Sequence, residues 1–182
     1  MTNILVNSLG GFSQLGMVVA DADKTMRYMV EKLGIGPFFV MRRLTPADFY
    51  FRGEPAAAPI MTLGFAQVGP MQIEVIQQHN AARSAYTEFL AEGREGAQHA
   101  SIWLDHDAYT RAREQLITSG LTLVHESRSR AQGRFAYFST DMPGSFMVEI
   151  AEARTPDARQ LFDAIAKASE GWDGSEPIRE LG

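Results

Sequence analysis

Two stretches of the sequence decide the fold: QLGMVVADADKTMRYMVEKLGIGPFFV, residues 14–40, and GAQHASIWLDHDAYTRAREQLITSGL, residues 96–121. Each contains a mainly apolar strand with a conspicuous polar residue, Gln14 in the first and His99 in the second. An acidic helix start, an amphipathic helix and a closing glycine follow in both. The copies are offset by 85 residues, the distance from Gln14 to His99. Because solenoids need three or more repeats, two copies indicate a duplicated module.

Three further strands complete each copy, so the chain is predicted to contain the order βαβββ twice. They are expected at Phe38–Leu44, Ile60–Val68 and Met71–Gln77, and at Leu121–Glu126, Arg134–Ser139 and Phe146–Ala151. Prolines and a glycine predict a loop at Thr45–Pro59. We expect one domain, with module one at about 12–78, a linker at 79–96, module two at about 97–152, and a C-terminal helix and arm at 153–182.

The composition narrows the function. The chain has 182 residues, is 45% hydrophobic and has a net charge of -5. An acidic balance argues against nucleic acid or an anionic membrane as partner. The absence of cysteine excludes zinc–thiolate sites, disulfides and cysteine nucleophiles. Met1–Gly11 has no basic segment or long apolar core, and no apolar run is long enough to span a membrane, so we expect a cytoplasmic protein.

Four polar residues interrupt otherwise apolar strands: Gln14, Glu74, His99 and Glu149. Side chains alternate across a strand, so these four point away from the faces that pack on the helices. Buried carboxylates are costly unless they are paired or bound to metal. Each copy supplies one residue from its first strand and one from its last. Such nitrogen and oxygen ligands predict one divalent ion. They suit zinc, nickel, manganese, cobalt and iron alike, so they do not identify the metal.

The sequence resembles the vicinal-oxygen-chelate superfamily over about residues 12–152. The resemblance is carried by the two stretches at residues 14–40 and 96–121 and by GRFAYFSTDMPGSFMVEIAEA at residues 133–153. The resemblance implies an α+β fold of two paired βαβββ modules, whose curled, mostly antiparallel sheet surrounds a metal site (the glyoxalase/bleomycin resistance/dioxygenase fold). The four residues fall where that family places its ligands, and the set is similar to that of zinc-type glyoxalase I. A metal-dependent lyase or isomerase that enolises a small carbonyl substrate is therefore implied, with Glu149 as catalytic base and Glu74 as its counterpart.

Departures from close relatives leave the specific activity open between glyoxalase and methylmalonyl-CoA epimerase. Val18 stands where glutathione-dependent glyoxalases have an arginine. The strand Ile60–Val68 has no acid where the epimerases place a second catalytic glutamate, and Thr62 lies near that position. Extradiol dioxygenases need two histidines and a carboxylate on the metal, whereas only His99 lies at a ligand position, so this activity ranks low.

Other residues bear on the substrate. The aromatic segment Phe49–Phe51 is a candidate cover for the site and favours an apolar or ring-bearing substrate. Five arginines are candidates for contacting an anionic group such as a CoA phosphate: Arg42, Arg43, Arg128, Arg130 and Arg134. The remaining histidines are expected to be solvated: His79, His106 and His125.

Two other classes of function stay open. One is a metal-free protein of the same fold that binds or sequesters a small molecule, and the other is a structural or partner-binding module. A structural or partner-binding module would have no use for buried carboxylates, which argues against that class. We also expect a homodimer, because relatives of this fold close their sheet edges and concave faces through a partner chain and open edge strands are a liability.

Overall fold

The structure, a computed structural model, describes residues 8–127, 133–140, 144 and 146–181. Its strands are β1 (Gln14–Val18), β2 (Phe38–Leu44), β3 (Phe49–Phe51), β4 (Glu54–Pro55), β5 (Met61–Val68), β6 (Met71–Gln78), β7 (Gly96–Trp103), β8 (Thr122–Ser127), β9 (Phe135–Ser139), β10 (Met147–Ala151) and β11 (Ile178–Glu180). Its helices are α1 (Ala22–Tyr28, continued by a π-helical turn at Met29–Leu33), α2 (Ala85–Ala91), α3 (His106–Thr118) and α4 (Pro156–Ser169). No helix among these residues is long and apolar enough to cross a membrane.

The strands form one open sheet in the order β11-β2-β5-β6-β1-β7-β10-β9-β8-β3-β4. In each copy the first strand pairs in parallel with the last strand, and the other pairs are antiparallel. The segment β2-β5-β6-β1 therefore repeats as β8-β9-β10-β7 in reverse order along the sheet. The predicted α+β fold of two βαβββ copies in a mostly antiparallel sheet is confirmed.

The two copies meet where β1 and β7 pair antiparallel. Gln14 lies opposite Ser101, and Gly16 lies opposite His99. Since the offset between copies relates Gln14 to His99 and Gly16 to Ser101, these two pairs exchange under a local two-fold relation. The junction of the sheet thus lies on the symmetry axis of the duplication.

The last strand of each copy adds a carboxylate beside this junction. β6 places Glu74 next to Gly16, and β10 places Glu149 next to Ser101. The apolar neighbours of the two glutamates pack on the opposite face, against α1 in the first copy and α3 in the second. Strand alternation alone therefore turns both carboxylates toward the concave face of the sheet.

Asp residues begin the two equivalent helices, as the sequence predicts. The Asp21 side chain accepts the N–H of Lys24 at the start of α1, and Asp105 accepts that of Ala108 at the start of α3. Gly34 ends the first helical segment with a φ of 65°. The left-handed conformation explains why a glycine stands there.

Both outer edges of the duplicated sheet are covered by segments that the sequence does not predict as strands. Within the predicted loop Thr45–Pro59, β3 pairs with β8 and forms a hairpin with β4. The predicted C-terminal arm contributes β11, which pairs in parallel with β2. The homodimer stays a prediction, but the edges of β2 and β8 do not require a partner chain.

Candidate active site

Three of the four predicted ligands converge on one point of the concave face. The Nε2 atom of His99 lies 3.7 Å from Glu74 Oε2 and 3.7 Å from Glu149 Oε2. All three side chains are buried, and His99 is completely inaccessible to solvent. Within the described residues, His99 is the only basic side chain in contact with either carboxylate.

The hydrogen bonds of His99 determine which ring nitrogen carries the proton. Nδ1 lies 3.1 Å from the carbonyl oxygen of the Gln98 side chain, while the Gln98 amide nitrogen donates to the backbone oxygen of Ala85. An amide oxygen only accepts, so Nδ1 must be the donor. Burial lowers the pKa of His99, which keeps the ring neutral. Its Nε2 therefore turns a lone pair, not a proton, toward the two glutamates.

Burial also changes the ionisation of both glutamates. It raises the pKa of Glu74 to about 8 and that of Glu149 to about 7. Repulsion from Glu74 adds to the raised pKa of Glu149, and the nearby His99 and a hydrogen bond with Tyr137 partly offset it. With a neutral histidine between them, the two carboxylates need either bound protons or a cation to balance their charge.

Two tyrosines that the sequence analysis does not single out form a polar chain beside this cluster. The Tyr86 hydroxyl donates to the Tyr137 hydroxyl at 3.1 Å, and the Tyr137 hydroxyl lies 3.3 Å from His99 Nε2. Burial raises the pKa of both phenols well above the usual value, so both remain protonated donors. Phe135 and Tyr137 are two residues apart in β9, so the sequence predicts that they share one face of the strand. Which face points into the cavity depends on the strand register, which the sequence does not give.

Gln14 lines the same cavity as Glu74 and Glu149 but is held differently. Its amide nitrogen donates to the side-chain oxygen of Gln72 at 2.8 Å. This bond leaves the Gln14 oxygen as the atom available to a ligand. Its assignment as a metal ligand, like those of the other three residues, stays a prediction.

The chemistry of the donors fits a divalent ion better than their spacing does. A neutral imidazole nitrogen and two carboxylates, turned toward one another without a donor proton, are the groups that bind zinc and similar ions. Zinc bonds of about 2.0–2.1 Å imply shorter separations between neighbouring donors than the observed 3.7 Å. Accordingly, no group of three or more His, Asp or Glu in the described part of the chain forms a closed metal cluster.

A cavity of about 270 Å³ opens above the glutamates. Its walls are mainly apolar and come from both copies, with Leu63 and Phe65 on β5 and Phe135 on β9. Such an apolar cavity with a few convergent polar groups is the usual form of a small-molecule site. The polar groups lie at the floor, where a bound ligand would meet them.

Helix α4 closes one side of this cavity, a placement that its amphipathic sequence does not reveal. Leu161 and Phe162 line the cavity from the helix. The Phe162 ring stacks on Trp103 with centroids 4.5 Å apart and packs at 6.0 Å against Phe65. The C-terminal segment therefore contributes directly to the site and shields it from water.

Gly16 is another site residue that the sequence analysis misses. A Cβ atom at this position would lie 1.8 Å from Cε1 and 2.0 Å from Nε2 of His99. The imidazole thus lies directly on the backbone of β1. A glycine inside a strand pattern is the sequence signal for such a close approach.

The structure corrects the prediction that His125 is solvated. His125 is completely buried, packs edge-on against Tyr137 with centroids 4.3 Å apart, and accepts the Ala85 N–H through Nδ1. The other two histidines are exposed as predicted: His79 bonds to Thr62, and His106 bonds to Glu152. The burial of His125 follows from β3, whose Phe49 covers it at 5.2 Å.

The segment Phe49–Phe51 does not cover the site, contrary to the prediction. Phe49 and Phe51 are buried in the core as part of β3 and do not line the cavity. Thr62 also faces away from the cavity, because Met61 and Leu63 on either side of it line the wall.

Two of the five candidate anion-binding arginines are engaged by carboxylates. Arg42 bonds to Asp23 and Glu180, and Arg134 bonds to Glu152 with Nε 2.7 Å from the carboxylate. Of the five, Arg134 alone lines the cavity within the described residues. Arg128 and Arg130 lie outside those residues.

The Glyoxalase/Bleomycin resistance protein/Dioxygenase superfamily model matches residues 13–138, more than half of the chain. The chain belongs to this superfamily. The match includes Gln14, Glu74 and His99 and ends before Glu149. No curated protein matches the sequence.

Solved structures with the same superfamily fold are similar to the chain over most of its length. A hypothetical protein from Bacillus halodurans C-125 is 14% identical with a TM-score of 0.55, over 79% of this chain and 94% of that one. A methylmalonyl-CoA epimerase from Mycobacterium tuberculosis is 19% identical with a TM-score of 0.50, over 78% of this chain and 86% of that one. At these identities the similarity supports the fold.

Proposed function

We propose that the protein is a metal-dependent isomerase, epimerase or lyase that enolises a small carbonyl compound. One divalent ion, with zinc favoured, is held by Gln14, Glu74, His99 and Glu149. Glu149 removes the proton from the carbon beside the carbonyl. The cytoplasmic location and the homodimer expected from the sequence stay predictions.

The observation that supports this proposal most is the cluster of acceptors at the cavity floor. Glu74, Glu149 and the Nε2 lone pair of His99 face one another in a buried site. In a medium of low dielectric, this arrangement is unfavourable unless a cation or added protons occupy it. Without a cation, the raised pKa values of the two glutamates suit proton transfer, because a base is most effective when its pKa lies near the working pH.

The protein's own residues account for the proton transfer. The superfamily resemblance assigns Glu149 as the base; it lines the cavity, and the Tyr137 hydrogen bond stabilises its ionised form. Glu74 faces Glu149 across His99 and is placed to return a proton on the other face of the substrate. The apolar walls and helix α4 exclude water from the intermediate. A bound divalent ion would supply Lewis-acid stabilisation of the substrate oxygen.

Metal content is tested by elemental analysis and calorimetry on protein prepared without chelator and then reloaded with zinc, manganese, nickel, cobalt or iron. We expect about one ion per chain, with much weaker binding in Glu74→Gln and His99→Ala. Glu126→Gln is the matched control, since Glu126 is also buried but pairs with Arg113 away from the cavity. If none of the five metals binds at about one ion per chain, the proposed metal site is refuted.

The role of Glu149 is tested by deuterium exchange in D₂O with carbonyl compounds that turn over. Wild-type protein should introduce deuterium at the carbon beside the carbonyl. Glu149→Gln keeps the shape of the side chain but cannot accept the proton, so turnover should fall on the order of 10²–10⁴-fold. Near-normal turnover in a folded Glu149→Gln variant would exclude Glu149 as the base.

A metal-free binding protein of the same fold is the second candidate. The 3.7 Å separations from His99 Nε2, wider than those around a bound ion, favour it. This function predicts saturable ligand binding that chelator leaves unchanged, without deuterium exchange.

A further inference from the structure

The walls of the cavity are rich in aromatic rings. Trp103 and Phe162 stack on each other at 4.5 Å, and Phe65 packs on the stack. Phe135 lines the wall on the β9 side. Flat rings in contact with a cavity favour a ligand with a ring or a similarly bulky apolar group, through area burial and ring–ring contacts.

The charged side chains at the rim of the cavity are either acidic or, in the case of a basic one, neutralised by a carboxylate. Its basic residue, Arg134, is bonded by Glu152, and that carboxylate also accepts from His106. Asp157, an exposed residue in the first turn of α4, adds another negative charge to the rim. Even with a divalent ion balancing the two floor glutamates, the rim therefore offers an anion no free positive charge within the described residues.

The size of the cavity sets a second limit. About 270 Å³ lies just below the range of about 300–1,000 Å³ typical of sites for drug-sized ligands. A single ring with a short carbonyl-bearing chain suits this volume. A CoA or glutathione conjugate would have to extend across the acidic rim.

We infer that the substrate is an uncharged carbonyl compound with an aryl or similarly bulky apolar group, not a CoA or glutathione conjugate. This inference rests on the proposed function, because it assigns the substrate class of the same site. The ring lies against Trp103 and Phe162, and the carbonyl faces the floor. Glu152, by neutralising Arg134, acts as a selectivity residue against anions.

Binding can be measured without catalysis through Trp103. The chain has two tryptophans, so Trp172→Phe leaves Trp103 as the single indole reporter inside the cavity. The probes are 1-phenylpropane-1,2-dione, which is uncharged, phenylglyoxylate, which has the same ring and adjacent carbonyl but carries a carboxylate, and acetyl-CoA. Trp103→Phe, which keeps only Trp172, corrects for unspecific quenching. Titrations are run with zinc and with chelator.

The dione should quench Trp103 saturably, with phenylglyoxylate at least about tenfold weaker because like charges at the rim oppose it. Acetyl-CoA should not displace the dione. Glu152→Gln leaves the positive charge of Arg134 unbalanced and should narrow the difference in affinity between the dione and phenylglyoxylate. Glu126→Gln breaks a comparable pair with Arg113, which does not line the cavity, and should leave the gap unchanged.

Phenylglyoxylate or acetyl-CoA binding as tightly as the dione would overturn the inference. So would an unchanged gap in a folded Glu152→Gln variant. Failure of the proposed function looks different: the dione binds with the expected preference, but no carbonyl compound exchanges deuterium. Deuterium exchange confined to a CoA thioester would instead support the proposed function and refute the substrate class.

Discussion

Replacing Gly16 by alanine should displace the His99 ring, and the structure gives the size of the effect. The added Cβ would lie 1.8 Å from Cε1 and 2.0 Å from Nε2. Carbon atoms pack best at about 3.5–4.0 Å, so the ring must move by roughly 1.5 Å or more. Tyr137, with its ring centroid 4.6 Å from that of His99, and the bond to Gln98 oppose this movement.

Overpacking of this kind costs about 1–3 kcal/mol of stability, and a misplacement of about 1 Å at a reacting group can lower a rate by 10²-fold. Gly16→Ala should therefore lose both stability and site function. Gly64→Ala is the matched control, because it is also a glycine-to-alanine change within a strand. Its Cβ would meet the Sδ atom of Met26 at 2.3 Å, on the opposite face of the sheet. A flexible methionine can adjust, so the control should lose only stability.

Chemical denaturation measures the first effect, and NMR of the imidazole nitrogens measures the second without reference to any substrate. The chain has four histidines, which keeps the spectrum assignable. Gly16→Ala should shift the His99 signals and weaken zinc binding, whereas Gly64→Ala should leave both as in the wild type. A folded Gly16→Ala variant with unchanged His99 signals and zinc affinity would refute the argument that this glycine makes room for the ring.

Three further predictions follow from the buried groups and the sheet edges. Burial raises the pKa of Glu74 from 4.5 to about 8, so the folded protein holds a proton that the unfolded chain releases, and stability falls as pH rises through this range. Glu74→Gln should then raise the free energy of unfolding, measured by urea denaturation at pH 8 in the presence of chelator. The expected gain is roughly 2–4 kcal/mol, since one pKa unit is worth about 1.4 kcal/mol. A variant less stable than the wild type would contradict this. Burial lowers the pKa of His125 from 6.5 to about 3, so stability should rise with pH between these values, and His125→Phe should be less sensitive to acid than the wild type; equal slopes of stability against pH would count against it. Light scattering at micromolar concentration should give the molar mass of a dimer, and the mass of a monomer would contradict the predicted homodimer.

Much of the site could be predicted because strand alternation is a local rule. Once Glu74 and Glu149 lie in apolar strands, one face is fixed by the packing of their neighbours on the helices, and the carboxylates take the other. Asp21 and Asp105 were equally predictable as helix starts, since a cap depends on residues within one turn. The common origin of the two modules then brings the equivalent positions together.

The features that the sequence did not reveal depend on distant partners. The three-residue strands β3 and β11 exist because the edges of β8 and β2 are available to them. Their own composition gives no such indication. The apolar face of α4 shows that the helix packs on something, but not that it closes the cavity. His125 is buried because β3 covers it, so the error about the histidine follows from the error about the loop.

The two equivalent carboxylates of the duplication have different surroundings. Glu74 and Glu149 occupy corresponding positions beside the β1–β7 junction, and burial raises the pKa of both. The ionised form of Glu149 is stabilised by the nearby His99 and by a hydrogen bond with Tyr137, whereas burial is the cause that acts on Glu74. Environments that separate the pKa values of a carboxylate pair separate their roles as acid and base. On this reasoning we propose that Glu149, whose ionised form has these partners, acts as the base, while Glu74 is placed to return a proton.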